Sequence, residues 1–170
     1  MIIVVMGVSG TGKSTVGQAL AIALGWDFQE GDELHPPSNI DKMQAGIALG
    51  DDDRWPWLDR IACWIRGESE QGRSGVVTCS ALKRRYRDHL YGAGDDVRFV
   101  HIRVPRAELE QRTRHRLHFM PTSLLDSQLQ TLEEPTPGEN VLAVSGQDTV
   151  AEIVASVRHW LDARVTSSGS

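Results

Sequence analysis

Residues 2–6 are an unbroken apolar run, Ile2-Ile3-Val4-Val5-Met6, ended by Gly7. A short β-branched run stopped by glycine predicts a strand buried on both faces. At Lys13 the period changes. Val16, Leu20, Ala23 and Leu24 recur at helical spacing and Gly25 supplies a stop, so a helix is predicted over 13–24. The two periods then alternate along the chain. Further strands are predicted over 26–29, 75–79, 97–104 and 141–144, and helices over 36–46, 53–70, 82–90, 105–115 and 150–163. Pro36, Pro37 and Asp51-Asp52-Asp53 mark helix starts, and Trp57, Ile61, Trp64 and Ile65 form an apolar stripe. Residues 112–120 interrupt this pattern with closely spaced arginines and histidines, which reads as an insertion. Alternating strands and helices imply parallel pairing and a three-layer α/β/α sandwich. The expectation is one domain over 1–165, with a mobile lid around 112–128 and a disordered tail over 166–170.

Composition narrows the chemistry. A chain of 170 residues suits one domain, and at this size folding buries about 70% of the extended-chain surface. Eighteen Lys and Arg against 23 Asp and Glu give a net charge of −5, which argues against a general nucleic-acid binder. Phosphate chemistry stays open, because it needs only a local positive cluster. Two cysteines, Cys63 and Cys79, are too few for a disulfide framework and too far apart for a CxxC site. No apolar run approaches the ~18 residues of a membrane span. The opening run lacks the basic region and cleavage site of a signal peptide, so a cytoplasmic location is expected.

The strongest motif is Gly7-Val8-Ser9-Gly10-Thr11-Gly12-Lys13-Ser14, a full GxxxxGK[ST] match between a predicted strand and a predicted helix. Glycines let the backbone turn tightly, so that successive N–H groups converge on phosphate at a helix N-terminus. This predicts ATP held by Gly7, Ser9, Gly10, Thr11, Gly12, Lys13, Ser14 and Thr15. Lys13 would reach the outer phosphates and the Ser14 hydroxyl would ligate Mg²⁺. Neither an Asn-Lys-x-Asp nor a DxxG switch is present, which argues against a GTPase. Glu30-Gly31-Asp32 follows the second strand. In an extended segment residues i and i+2 share a face, so Glu30 is a candidate for holding Mg²⁺ through water and Asp32 for accepting a hydroxyl proton. An exposed acidic turn is the plainer alternative.

Further segments carry a family likeness. His35-Pro36 with Asn39, Lys42-Met43 and Gly46 resembles HPxxNxxKMxxG, and Asp51, Asp53-Arg54 and Pro56-Trp57-Leu58 resemble DxDRxPWL. Cys79-Ser80-Ala81-Leu82-Lys83 with Tyr86-Arg87-Asp88 resembles CSALKxxYRD, and His118-Phe119-Met120-Pro121 with Leu124-Leu125 and Ser127-Gln128 resembles HFMPxxLLxSQ. With the phosphate loop, this pattern resembles the small P-loop gluconokinases, within the nucleoside monophosphate kinase and shikimate kinase class. The resemblance implies ATP-dependent phosphorylation of D-gluconate at its 6-hydroxyl. It also implies a five-stranded parallel sheet of order 2-3-1-4-5 with a helical lid, and a homodimer. Glu30 stands where the family usually has Asp, Leu117 where a small or polar residue is common, and Val104 where glycine is frequent.

A gluconate pocket needs cations for the carboxylate and acids or amides for the hydroxyls. Arg54, Lys83 and Arg87 are the candidates for the negative end, and Asp32, His35 and Asn39 for hydroxyls. Lys83 and Arg87 share a helix face by i, i+4 spacing. The plainer readings are a solvated Arg54–Asp cluster and a wet helix face over 83–87. In the lid, Arg116 is expected to neutralise the transferring phosphoryl, Arg112 to stack on adenine, and His118 to contact substrate. A metal site on His115 and His118 lacks a completing ligand. Other small-acceptor kinases and an ATP-dependent switch protein remain the alternatives.

Overall fold

Strands β1 (Ile2–Met6), β2 (Asp27–Gln29), β3 (Gly75–Thr78), β4 (Val97–Arg103) and β5 (Val141–Ser145) pair in parallel in the order β2-β3-β1-β4-β5. Val4 of the central strand is in register with Val77 and Phe99. The helices are α1 (Lys13–Leu24), α2 (Pro37–Gln44), α3 (Asp51–Glu70), α4 (Arg84–Tyr91), α5 (Arg106–Arg114), α6 (Thr122–Thr131) and α7 (Val150–Ser167), with a 3₁₀ turn over Gly31–Leu34. The structure is a computed structural model describing residues 1–115 and 121–167.

The period of two in β1 builds the layers. Ile2, Val4 and Met6 pack with Trp57, Leu58, Ile61 and Ile65 of α3 and Tyr86 and Leu90 of α4. Ile3 and Val5 face the other way, onto Val16 and Leu20 of α1 and Ile153, Val157 and Leu161 of α7. Both faces are covered, so the apolar run of β1 is fully buried. The expected three layers and strand order are present.

Several local expectations need correction. The segment after β2 does not stay extended: at Gly31 it enters the 3₁₀ turn. A Cβ on Gly31 would lie 1.8 Å from the Thr78 carbonyl oxygen, so only glycine lets this turn press against the end of β3. Helix α3 starts at Asp51 rather than 53, because the Asp53 carboxylate returns to the Gly50 N–H at 2.9 Å. Helix α4 starts two residues late, after a turn in which Ala81 takes φ 47°. Helix α6 was hidden within the lid expectation; its Leu124 and Leu125 pack with Val8, Leu82 and Leu109. Helix α7 runs past 163 to Ser167, so residues 166 and 167 are helical rather than a loose tail. Among the described residues, no helix is long and apolar enough to cross a membrane.

Candidate active site

The C-terminal ends of β1, β2 and β3 lead into the phosphate loop, the 3₁₀ turn and the 79–83 turn, and open α/β sheets bind ligands at this edge. The loop ends at Gly12, which precedes α1 with φ 92°, a left-handed conformation natural to glycine. Thr11 Oγ1 donates to the Val8 carbonyl at 3.0 Å and braces the loop from inside. Lys13 Nζ donates to the same carbonyl at 3.0 Å. Ser14 and Thr15 lie exposed on the first turn of α1. The Ser9 N–H donates to Gln128 Oε1 of α6 at 2.7 Å.

A cavity of about 360 Å³ opens beside this loop, lined by Ser9 and Lys13 on one side and Asp32, His35, Arg54 and Trp57 on the other. The Asp32 side chain is 79% exposed, and so is available to a ligand. His35 stacks on Trp57 with ring centroids 4.1 Å apart, and Trp57 Nε1 donates to the Gly31 carbonyl at 2.8 Å. Asn39 Nδ2 donates to the Asp53 carbonyl at 2.8 Å and faces His35 Nδ1 at 3.2 Å. That arrangement makes Nδ1 the acceptor and leaves the proton on Nε2, 3.9 Å from Asp32 Oδ1. Burial pushes the His35 imidazole down to about 4, so at neutral pH the ring is an uncharged donor.

Arg54 is the cation of this cavity wall. It is buried, its guanidinium lies 5.7 Å from the Tyr86 ring centroid, and NH1 donates to the Tyr86 hydroxyl at 3.4 Å. Among the described residues no carboxylate lies within ion-pair distance of it, although its charge helps to hold the Asp53 carboxyl below its ordinary value. A buried guanidinium in that state suits an incoming anion.

The other expected ligands sit elsewhere. Arg87 does not face the cavity. It is completely buried, and its five N–H donors go to both Glu139 carboxylate oxygens and to the carbonyls of Ala81, Leu82 and Glu133. Burial raises the Glu139 carboxyl, but the hydrogen bonds from Arg87 and Thr136 outweigh this and hold it below its ordinary value. Arg87 therefore staples the left-handed Ala81 turn, which delivers Ser80 to the cavity. Lys83 also lies outside the wall, bound to Asp51 at 3.1 Å. Asp51 gathers Tyr86, Lys83 and Arg85, whose hydrogen bonds hold its carboxyl at about 2. Asn39 is 2% exposed and acts behind His35 rather than in the cavity.

Glu30 does not join Asp32 in the cavity, because the 3₁₀ turn separates them and Glu30 accepts the Thr78 hydroxyl. Arg112 lies on the nucleotide side, donating to Gly10 O at 3.2 Å, to Gly146 O at 2.8 Å and to Glu108. Arg116 and His118 lie outside the described residues. Ser80 and Gln128 line the cavity without having been singled out as ligands. Both lie inside the CSALK and SQ segments, which was the available signal.

Among the described residues, no three His, Cys, Asp or Glu side chains converge as a metal cage. The Ser14 hydroxyl, exposed on the first turn of α1, is the oxygen donor here that suits Mg²⁺, which commonly arrives on nucleotide phosphates and keeps several waters.

With this geometry in place, the likeness to known proteins becomes specific. No family model matches the chain. It is 52% identical over 162 residues to a gluconokinase of Gluconobacter oxydans, covering 93% of this chain and 90% of the relative. It superposes on a gluconokinase structure from Sinorhizobium meliloti with a TM-score of 0.89 at 46% identity, covering 99% and 97% of the two chains. A shikimate kinase from Aquifex aeolicus matches all of both chains with a TM-score of 0.57 at 16% identity, a likeness of fold alone. The chain is a P-loop kinase and belongs to the gluconokinase family.

Proposed function

We propose that this enzyme transfers the γ-phosphoryl of MgATP to the 6-hydroxyl of D-gluconate, releasing ADP and 6-phospho-D-gluconate. The observation that carries the reading is a cavity lined by the buried Arg54, by Lys13 of the phosphate loop and by the exposed Asp32. A polyhydroxy acid offers the matching groups: a carboxylate for Arg54 and hydroxyls for His35 and Asp32. The 52% identical relative being a gluconokinase supports the same acceptor.

In this reading ATP lies across residues 7–15, with Lys13 turning from the Val8 carbonyl to the outer phosphates. Ser14 would hold Mg²⁺, and the ion would supply charge neutralisation. Asp32 accepts the 6-hydroxyl proton as the hydroxyl oxygen bonds to phosphorus, and the bridging P–O bond breaks toward ADP. Because phosphoryl transfer has a loose transition state, positioning by His35 and Arg54 weighs more than base strength. Arg112 borders the nucleotide, and Arg116 and His118 are assigned to the phosphoryl and the substrate. A homodimer is part of the reading on family likeness alone. A cytoplasmic location is supported by two free thiols, Cys63 and Cys79.

The test is product formation from MgATP with gluconate, shikimate or AMP as acceptor. Phosphorylation of gluconate alone is expected, and turnover of shikimate or AMP in its place would refute the reading.

A further inference from the structure

Gln128 joins the phosphate loop to the acceptor cavity, and the mechanism above leaves it without a role. It lies one turn beyond Leu124 and Leu125, whose burial against Val8, Leu82 and Leu109 seats α6 on the loop. Its Oε1 accepts the Ser9 N–H at 2.7 Å across 119 residues of sequence. That bond settles the amide orientation, since an N–H can face only the carbonyl oxygen. The two Nε2 hydrogens are therefore the donors left over, and among the described residues no acceptor takes them up. Gln128 lines the same cavity as Asp32 and Lys13.

We infer that Gln128 orients the acceptor alcohol for attack, its carbonyl held by Ser9 and its amide N–H donating to the hydroxyl oxygen. An alcohol oxygen has one proton and two lone pairs. With the proton directed at Asp32 and one lone pair engaged by Gln128, the remaining lone pair faces phosphorus. Donor and acceptor together select an alcohol and fix its rotation, which neither group achieves alone. A water molecule lacks the gluconate frame that holds the 6-hydroxyl between them.

This inference rests on the proposed gluconate reaction, and two substitutions separate it from a purely structural tie. Gln128→Glu keeps an acceptor for Ser9 N–H but removes the donor. Gln128→Met removes both without adding charge. In both, turnover with gluconate is expected to fall about a hundred-fold, the scale of a misplaced reacting atom. ADP formed per phosphogluconate should rise above the wild-type ratio as water competes, with the melting temperature of the Glu variant unchanged. Wild-type turnover and an unchanged product ratio in Gln128→Met would overturn the inference. A variant with lowered melting temperature but an unchanged ratio would also overturn it, leaving Gln128 as a strut for α6. Wild-type enzyme that makes no phosphogluconate would instead refute the proposed reaction.

Discussion

At the scale of single residues, the cavity sets an exposed Asp32 beside a buried, neutral His35, and the proposed reaction makes Asp32 the base. Asp32→Asn keeps the shape but cannot accept a proton. Steady-state kinetics should show kcat reduced by about two orders of magnitude or more, with little change in the Michaelis constant for gluconate. Turnover near wild type would remove Asp32 from the base role. His35 and His101 carry a linked prediction. Burial pushes both imidazoles down to about 4 from an ordinary 6.5. Between those pH values the unfolded chain binds protons that the folded chain does not. Stability is therefore complete above pH 6.5 and is lost as pH falls toward 4, by up to about 3 kcal/mol for each ring. Melting temperature measured from pH 7 to 4.5 should fall, and ring-proton NMR should show both histidines still neutral at pH 5.5. An imidazole midpoint near 6.5 at either position would contradict this.

The same scale shows what sequence could reveal. Lys13, Ser9, Asp32, His35 and Arg54 each lie in a short motif, and the structure brings them together around one cavity. Arg87 was misread because its partner is not local. Its i, i+4 spacing from Lys83 was correct, but Glu139, 52 residues away, takes the guanidinium inward. Asn39 and Lys83 were displaced for the same reason, by Asp53 and Asp51 on another helix.

The period-two and period-3.6 runs made the strands and most helices legible, since both faces of the sheet must be covered. The 3₁₀ turn was not legible, because it depends on the approach of Gly31 to β3. Helix α6 was obscured by its place beside the basic insertion, and its packing on Val8 brings Gln128 to the loop. The 79–83 turn depends on the buried Arg87–Glu139 pair. Arg87→Ala leaves the buried Glu139 with only the half-exposed Arg84, 3.7 Å away, and the Thr136 N–H as partners, and should destabilise the enzyme by about 3 kcal/mol in urea unfolding. The Michaelis constant of the folded fraction for gluconate should hold. Full stability with a raised Michaelis constant would return Arg87 to the substrate.

For the whole molecule, a net charge of −5 coexists with an anion-binding edge. The strand order sends three loops to that edge, and Lys13 and Arg54 are cations on the cavity wall. Net charge describes the surface average, whereas topology sets where the cations gather. The central claim is that this cavity directs one phosphoryl group to one hydroxyl. Proton-coupled ³¹P NMR of the product from gluconate and MgATP tests it most directly. A phosphoester on the primary C6 carbon couples to two protons and should appear as a triplet-like signal, with ADP formed in equal amount. A doublet from a secondary hydroxyl, or ADP accompanied only by free phosphate, would contradict the account.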